Sequence, residues 1–163
     1  MADQPSTPPP QPVFAIQKLY VKDLSLEVPG APQVFLETAQ PQVDIELGMQ
    51  HQQVAEGLFE STLTVTVTAK AAEKTFFLVE CAQAGIFEIR NFAEQDLAAV
   101  MGIGCPSVLF PYAREAIASL VNRAGFPAVN LNPVNFEQIF MQQLQQQQPQ
   151  GADGSGPKIE IAH

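Results

Sequence analysis

The chain has 163 residues, which is enough for one domain with a single hydrophobic core. Hydrophobic residues make up 46% of it, but charged residues only 15%, well below the roughly 25% of an average soluble domain. The 17 acidic and 8 basic residues give a net charge of −9, which would repel phosphate backbones and argues against nucleic-acid binding. We expect a folded chain with so few charges to hide surface in an oligomer or to expose apolar surface for a purpose.

The first residues are polar and proline-rich, so we expect residues 1–12 to be a disordered leader. They have neither the basic start nor the apolar run of a secretory signal, and no stretch approaches the roughly 18 apolar residues of a membrane span. This pattern predicts a cytoplasmic protein without direct membrane insertion. Cys81 and Cys105 form no C-x-x-C pair, and two reduced thiols are expected, with a disulfide as the alternative.

Four segments have the composition and alternation of β-strands, namely residues 13–28, 43–49, 59–69 and 75–90. The third is the clearest, because Leu63, Val65 and Val67 alternate with threonines. Ala84 and Gly85 predict a bulge or bend in the fourth strand, before residues 86–89. Sequential strands joined by short turns indicate an antiparallel sheet.

Helical periodicity follows the strands. A short apolar stripe at residues 97–101 is expected to break at Gly102, Gly104 and Pro106. A longer helix is predicted over 107–124, with Pro111 acceptable only in its first turn. Asn132 and Pro133 are expected to begin the last helix, whose apolar face carries Phe136, Ile139, Phe140 and Leu144. Residues 146–163 are predicted to form a flexible tail rich in Gln and Gly, which leaves 13–145 as the domain.

The helix at 107–124 carries only Arg114, Glu115 and Arg123 as charges, whereas a helix on one sheet usually has a broad charged outer face. Small side chains such as Ala113 and Ala116 would let a neighbour approach closely. We therefore expect this helix to lie between its own sheet and another subunit. The alternative is an alanine-rich helix facing solvent.

The sequence contains no evident catalytic or metal-binding constellation. His51 lies in a polar stretch that is predicted to be a loop, and neither it nor His163 has an evident nucleophile and supporting carboxylate. Residues 102–104 (GIG) lack the third glycine and the strand-to-helix context of a phosphate loop. We predict a protein that is not an enzyme and that needs no cofactor or metal.

Five short motifs together resemble the SecB family of bacterial protein-export chaperones. They occur in the family's order and span about residues 13–145. They are KDLSLE at 22–27, APQVF at 31–35, QAGIF at 83–87, CPSVLFPYARE at 105–115 and NLNPVNF at 130–136.

The resemblance implies an α+β fold, in which a four-stranded antiparallel sheet carries two main helices on one side. It implies a homotetramer built as a dimer of dimers, with the long helices between the dimers. The corresponding subunit-interface residues would be Ala113, Ala116, Ile117 and Leu120. It also implies a role: such proteins bind unfolded precursor polypeptides, keep them competent for translocation and deliver them to the SecA motor ATPase.

Two binding surfaces carry over from the family residue by residue. The contact for SecA and its basic, zinc-bearing tail matches Asp23, Glu27, Leu78 and Glu80. The client groove is apolar, with Val43, Ile45 and Leu47 on one strand and residues 125–131 as the loop above it. From the pattern alone, plain core is the favoured interpretation of these three residues. The chain lacks the tryptophan that many members carry near the second strand, which leaves aromatic client contact there in question.

Two functions from other classes compete with this interpretation. An acidic oligomeric scaffold would bind a single folded basic partner and ignore unrelated unfolded proteins. A small-ligand enzyme would show a saturable pocket and an acid or His that titrates away from its usual pH, and the sequence offers no candidate for that group.

Overall fold

The computed structural model describes residues 6–147 and, as backbone only, residues 159–162. Five strands form one antiparallel sheet in the order β1-β4-β3-β2-β5. The strands are β1 (Val13–Glu27), β2 (Gln42–Ala55), β3 (Leu58–Ala71), β4 (Lys74–Arg90) and β5 (Ile159–Ala162). The predicted four-stranded sheet is therefore confirmed, and a short fifth strand is added at the free edge of β2.

The helices are α1 (Glu94–Ala99), α2 (Cys105–Arg123) and α3 (Phe136–Gln146). A π-helical turn, Val100–Gly104, joins α1 to α2, so that one helix runs from Glu94 to Arg123. The predicted break at residues 102–106 is wrong. The wider π turn directly precedes Pro106, whose ring nitrogen cannot donate to a carbonyl of the preceding turn.

Two predicted helix features are also wrong. Pro111 lies beyond the first turn of α2, where its ring and Ser107 are both exposed, so water can replace the hydrogen bond that Pro111 cannot make. The last helix begins at Phe136, because the side chain of Asn135 accepts a hydrogen bond from the backbone N–H of Gln138 at 3.0 Å. Asn132 and Pro133 instead belong to the loop before this cap.

The strand bounds differ from the predictions mainly in β2. This strand continues through His51 to Ala55, so His51 is not in a loop. Irregular pairing occurs in β1, after Ile16 and after Val21, and not at Ala84 and Gly85. Gly85 is needed for close approach instead, because a Cβ there would lie 2.9 Å from side-chain atoms of both Leu19 and Phe87.

The core lies between one face of the sheet and the long helix. In β3, alternation sends the apolar side chains to this face and the threonines to the outer face, and β4 adds Val79, Cys81 and Phe87 to the core. The fully buried members include Leu63, Val65, Val67, Val79, Cys81, Leu109, Ile117 and Val121. The predicted layer of helices on one side of the sheet is thus confirmed.

By length and composition alone, the helix Glu94–Arg123 could cross a membrane. The sequence pattern predicted no apolar stretch of that length. Only 33% of its most apolar 18-residue stretch is buried within the chain. Core helices of soluble proteins meet the same criterion, and this helix packs on the sheet through a buried stripe. Most of this apolar stretch is therefore not covered by the rest of the chain.

Residues 6–12 have no regular secondary structure, although the side chain of Asn91 donates to the carbonyl of Gln11 at 2.8 Å. Residues 1–5 of the predicted leader lie outside the described residues, as do 148–158 and 163 of the predicted flexible tail. The backbone at 159–162 departs from that prediction, since it pairs with β2 as β5.

Candidate functional site

The sheet brings together the four residues assigned to the acidic contact, here called the acidic patch (Asp23, Glu27, Leu78 and Glu80). In the register of β1 and β4, Glu27 lies opposite Leu78, and Ser25 lies opposite Glu80. Asp23 and Glu27 are on either side of Ser25, on the same outer face. Residues that are more than fifty positions apart in sequence thus form one contiguous patch.

The acidic surface extends beyond the patch across the sheet. Thr66 donates a hydrogen bond to Glu80 at 3.2 Å, and Thr66 is paired with Glu46 on β2. Asp44 follows on the same outer face of β2. In the sequence, Asp44 and Glu46 alternate with the apolar residues of β2, but only the strand order places them in line with Glu80.

A hydrogen-bonded cluster lies farther along the same outer face. The Glu60 carboxylate accepts from Lys22 at 2.7 Å, from Gln52 at 2.9 Å and from the Tyr20 hydroxyl. The bonds from Lys22 and Tyr20 lower the pKa of Glu60 to about 2. Burial and this carboxylate raise the pKa of Tyr20 to about 12. Because the cluster joins β1, β3 and β2, it stiffens the sheet that presents the acidic patch.

A groove opens at the other end of the sheet, between β2 and the segment that follows α2. It has a volume of about 460 Å³ and is open to solvent. Its apolar walls come from the 3₁₀ turn Gln33–Leu36, from β4 and from the loop after α2. We call it the aromatic groove, and its main apolar residues are Val34, Phe35, Val43, Phe76, Phe77 and Phe126.

Phe126 is at the centre of the aromatic groove. Its ring centroid lies 5.1 Å from that of Phe77, 5.2 Å from that of Phe35 and 6.3 Å from that of Phe76. These are the spacings of favourable aromatic pairs. Phe76 and Phe77 are buried, whereas Phe35 is 50% exposed and offers its ring to the groove.

The end of α2 places Phe126. Gly125 has a positive φ of 92° and donates to the carbonyl of Asn122 at 3.1 Å, while the N–H of Phe126 donates to Val121 at 3.3 Å. This pair of bonds is a Schellman motif, which turns the chain sharply and sets an apolar residue against the last helical turn. A Cβ at position 125 would lie 3.2 Å from the Phe35 ring, so the glycine also allows the two rings to approach.

The structure separates the three predicted groove residues. Val43 lines the aromatic groove, but Ile45 and Leu47 are only 5% and 7% exposed and belong to the core. They border a small cavity of about 30 Å³ that residues 131–134 cover. Ile45 and Leu47 therefore form the floor of the groove region within one chain, and their contact with a client stays a prediction.

The sequence prediction included Phe126, as part of the loop 125–131 over the groove, but it missed Phe35, Phe76 and Phe77. The absent tryptophan had left aromatic contact in question, yet four phenylalanines supply it. The available signal was the placement of Phe35 and Phe126 between the predicted strands and helices, each within three residues of a proline or glycine. An exposed aromatic in a loop is more often a binding residue than a core residue.

The SecB family model, described as preprotein translocase subunit SecB, matches residues 7–147 of the chain. The chain belongs to the SecB family. The protein-export protein SecB of Chromobacterium violaceum is 62% identical over 141 residues, which cover 86% of this chain and 94% of that protein. The protein-export protein SecB of Methylobacillus flagellatus is 57% identical over 137 residues, which cover 84% and 87% of the two chains.

A solved structure agrees with this assignment at the level of fold. The SecB-like chaperone of Mycobacterium tuberculosis, in complex with a ChAD peptide from the HigA1 antitoxin, matches with a TM-score of 0.61. The match covers 74% of this chain and 90% of that chain, at 18% sequence identity. The SecB-like arrangement of a four-stranded sheet with two helices on it is therefore confirmed.

The predicted subunit-interface residues do not share one face of the helix. Ala113 and Ile117 are 0% exposed within a single SecB chain, because they belong to the stripe that packs on the sheet. Ala116 and Leu120 are only partly buried, on the flank of that stripe. Ala113 and Ile117 are thus core residues within a single chain, whereas Ala116 and Leu120 remain available to a neighbour, and the interface itself stays a prediction.

Apolar side chains are also exposed on β1, at the edge of the SecB sheet. Phe14, Ile16, Val21 and Leu24 are each between 39% and 49% exposed. Phe14 stacks on Phe87 with centroids 5.6 Å apart and an angle of 5° between the ring planes. Together with the exposed Tyr112 on α2, these residues leave this chain with more open apolar surface than an isolated small domain usually carries.

Within residues 6–147 no group of three or more His, Cys, Asp or Glu could hold a metal ion. Cys81 and Cys105 are both free and fully buried. Burial raises the pKa of the Cys81 thiol to about 11, with a further contribution from Asp23. Burial also raises the pKa of Cys105 to about 12, against a hydrogen bond with Ser61 that lowers it. The two thiols are therefore protonated packing residues at neutral pH.

These buried thiols should make the SecB fold less stable in alkali. The unfolded thiols ionise near pH 8.5, while the folded ones keep their protons to about pH 11 and 12, so unfolding releases protons in between. The free energy of unfolding should fall as pH rises from about 9, by up to about 1.4 kcal/mol per pH unit and thiol. Urea unfolding between pH 8 and 10.5 measures this slope.

The matched control for the alkaline slope is the double variant Cys81→Ala and Cys105→Ala. It loses some packing at every pH, but its stability should fall less steeply above pH 9. An equal slope in both proteins would contradict the assignment of the thiols as the titrating groups.

Proposed function

We propose that the chain is a cytoplasmic chaperone for protein export, which binds unfolded precursors, keeps them competent for translocation and delivers them to the SecA ATPase. The observation that carries this proposal is the aromatic groove, where the half-exposed ring of Phe35 and the partly buried ring of Phe126 line an open apolar surface beside β2. A folded protein rarely leaves aromatic surface open in this way unless it binds something apolar.

The chemistry of the aromatic groove fits unfolded clients. Apolar contact is non-directional, so rings such as Phe35 and Phe126 accept many side chains without reading a sequence. The groove borders β2 at Val43, and an extended segment beside a strand adds backbone hydrogen bonds that are equally independent of sequence. Broad specificity follows from these two terms.

The acidic patch is the proposed site for SecA and its basic, zinc-bearing tail. Asp23, Glu27 and Glu80 form a negative surface on the outer face, opposite to the helices. Opposite charge raises the association rate and selects orientation, while Leu78 gives an apolar contact in the same patch. The client groove and the motor site would thus use different parts of one sheet.

Reversing one charge in the acidic patch tests this assignment. Glu80→Lys should weaken SecA binding about tenfold and reduce its dependence on salt, because it places a positive charge in the negative surface. Calorimetric titration of SecA into the variant measures both effects. Capture of clients and the assembly state should stay unchanged.

The matched control for Glu80→Lys is Glu73→Lys, the same charge reversal in the exposed turn between β3 and β4. Equal losses in the two variants would show a general effect of net charge and would refute a local site. Unchanged SecA affinity in Glu80→Lys would refute the patch directly.

The exposed apolar surface supports assembly into a homotetramer, organised as a dimer of dimers with the long helices between the dimers. Only a third of the most apolar stretch of that helix is covered within one chain. Ala116 and Leu120 lie at the rim of this surface, where small and apolar side chains permit close helix packing. Burying this apolar surface between copies removes it from water. The chain needs this because it has few charged residues to keep it soluble.

The competing scaffold function would use the acidic face to bind a single folded basic partner. It gives the aromatic groove no role, so the groove favours the chaperone. No reaction is assigned to the protein, in keeping with a family of chaperones rather than enzymes.

The proposed function is tested by native mass measurement of the protein alone and mixed with an unfolded precursor. We expect a tetramer that shifts by the mass of one client, and we expect the same shift with unrelated precursors. A shift with a single folded basic protein and with no unfolded chain would support the scaffold instead.

A further inference from the structure

The C-terminal strand β5 lies against the edge strand of the sheet. Ile159–Ala162 pairs antiparallel with β2, so that Asp44 is opposite Ala162 and Leu47 is opposite Ile159. Among the described strands, β5 is the neighbour that covers this edge of β2, since the other edge of β2 is bonded to β3. A segment of the chain thus occupies the position at which an added strand would bind.

The covered edge is the one that borders the groove region. β5 pairs with Ile45 and Leu47, which floor the cavity beneath residues 131–134. Its pairing begins at Asp44, the residue next to Val43 of the aromatic groove. An extended segment that leaves the groove along β2 would need the same backbone donors and acceptors. Such a segment and β5 cannot pair with residues 44–47 at the same time.

We propose that β5 is an internal competitor for clients: it closes the β2 edge in the free chaperone and is displaced when an extended client segment pairs there. This inference rests on the proposed client-binding function and adds a regulated site to it. The occupant of the edge is either the chain's own residues 159–162 or an unfolded polypeptide.

β5 is short enough for a client segment to displace it from β2. Four residues pair with β2, and a strand this short binds weakly on its own. Because it is tethered after α3, its effective concentration at the edge is in the millimolar range, which compensates for the weak pairing. Clients with several apolar segments would displace it, whereas an isolated short peptide would compete poorly.

The same cover protects the free chaperone. An uncovered edge strand exposes unpaired N–H and C=O groups to any other edge and invites association between copies. The tail sequence has the alternation of a strand, with Ile159 and Ile161 on either side of Glu160. An edge that must open for clients therefore has a removable cover rather than a permanent one.

Two changes to the tail test the proposal in the full-length background. The first deletes residues 157–163. The second, Glu160→Pro with Ile161→Pro, removes the N–H of two adjacent residues, so one of the lost donors is the one that faces β2. The matched control places the same pair of prolines at Ala152 and Asp153, in the segment that connects α3 to β5.

The first measurement is amide hydrogen exchange of residues 44–47 without client. Exchange should be faster in the deletion and in the 160/161 proline variant than in the wild type and the control. The second is titration of an unfolded precursor, whose apparent dissociation constant should fall about two- to tenfold in the same two variants, because no competitor must be displaced.

The outcomes separate the inference from the function on which it rests. Unchanged exchange at residues 44–47 overturns the inference, and so does faster exchange with unchanged client affinity. Tighter self-association with no gain in client affinity also overturns it, since β5 would then be only a protective cover. If neither the wild type nor any variant binds a precursor, the proposed function is overturned instead.

Discussion

Replacing Phe35 and Phe126 together by alanine should weaken the binding of an unfolded precursor about 30- to 150-fold. The two rings form the open part of the aromatic groove, with centroids 5.2 Å apart. Losing both removes about 2–3 kcal/mol of apolar contact with the client, after allowance for rings that are only partly covered when bound. Fluorescence titration with a labelled precursor measures the change.

The control for this variant is Leu36→Ala, which removes an even more exposed apolar side chain next to Phe35 and outside the groove lining. It should leave client affinity within about twofold. Since Phe126 also packs on Phe77, thermal unfolding must show that the double variant is folded, and Phe35→Ala alone should still lose about tenfold. Equal affinities for the wild type and both groove variants would refute the groove as the client site.

Replacing Ala116 by glutamate should convert the tetramer into dimers. Ala116 is partly buried on the flank of α2, and a neighbouring helix close to it would bury the new carboxylate without a partner. The cost of about 3 kcal/mol or more would raise the dissociation constant of the tetramer about 100-fold or more. Native mass spectrometry across a dilution series measures the shift.

The matched control is Ala55→Glu, the same change at an exposed position at the end of β2. It should remain a tetramer. A tetramer that withstands Ala116→Glu would place the interface elsewhere, with the exposed apolar side chains of β1 as the next candidate. Circular dichroism of the Ala116→Glu protein should show an intact fold, because Ala116 is only partly buried, on the flank of the core stripe.

Local patterns were sufficient to predict the strands. In β3, apolar and threonine residues alternate without exception from Thr62 to Thr68, and this period assigns each side chain to a face. The acidic patch depended on more than period. The family resemblance named its four residues, but only the register of β1 with β4 shows that Glu27 lies opposite Leu78.

The helices were predicted less well, because their contacts are tertiary. Nothing in the local pattern shows that a π turn carries the helix through Gly102 and Gly104, or that Ala113 faces the sheet while Ala116 does not. Small residues on all sides of α2 erase the amphipathic stripe that normally identifies the buried face. Only the burial of each side chain within one chain distinguishes the core residues of α2 from those that are available to a subunit interface.

The aromatic groove and β5 could not be predicted for a related reason. Phe35 and Phe126 are ninety positions apart in the chain, and they meet only because a Schellman motif turns the end of α2 toward the 3₁₀ turn. The tail strand is four residues long, too short for its alternation to outweigh the Gly- and Gln-rich composition around it. Both features depend on where β2 lies in the sheet.

The central claim is that the protein holds unfolded chains, and the refolding rate of a denatured precursor tests it most directly. Without ATP, one tetramer per precursor should slow spontaneous refolding strongly. With the Phe35→Ala, Phe126→Ala double variant, refolding should return to most of its spontaneous rate. Refolding at the same rate with and without the wild-type protein, at stoichiometric amounts, would contradict the account.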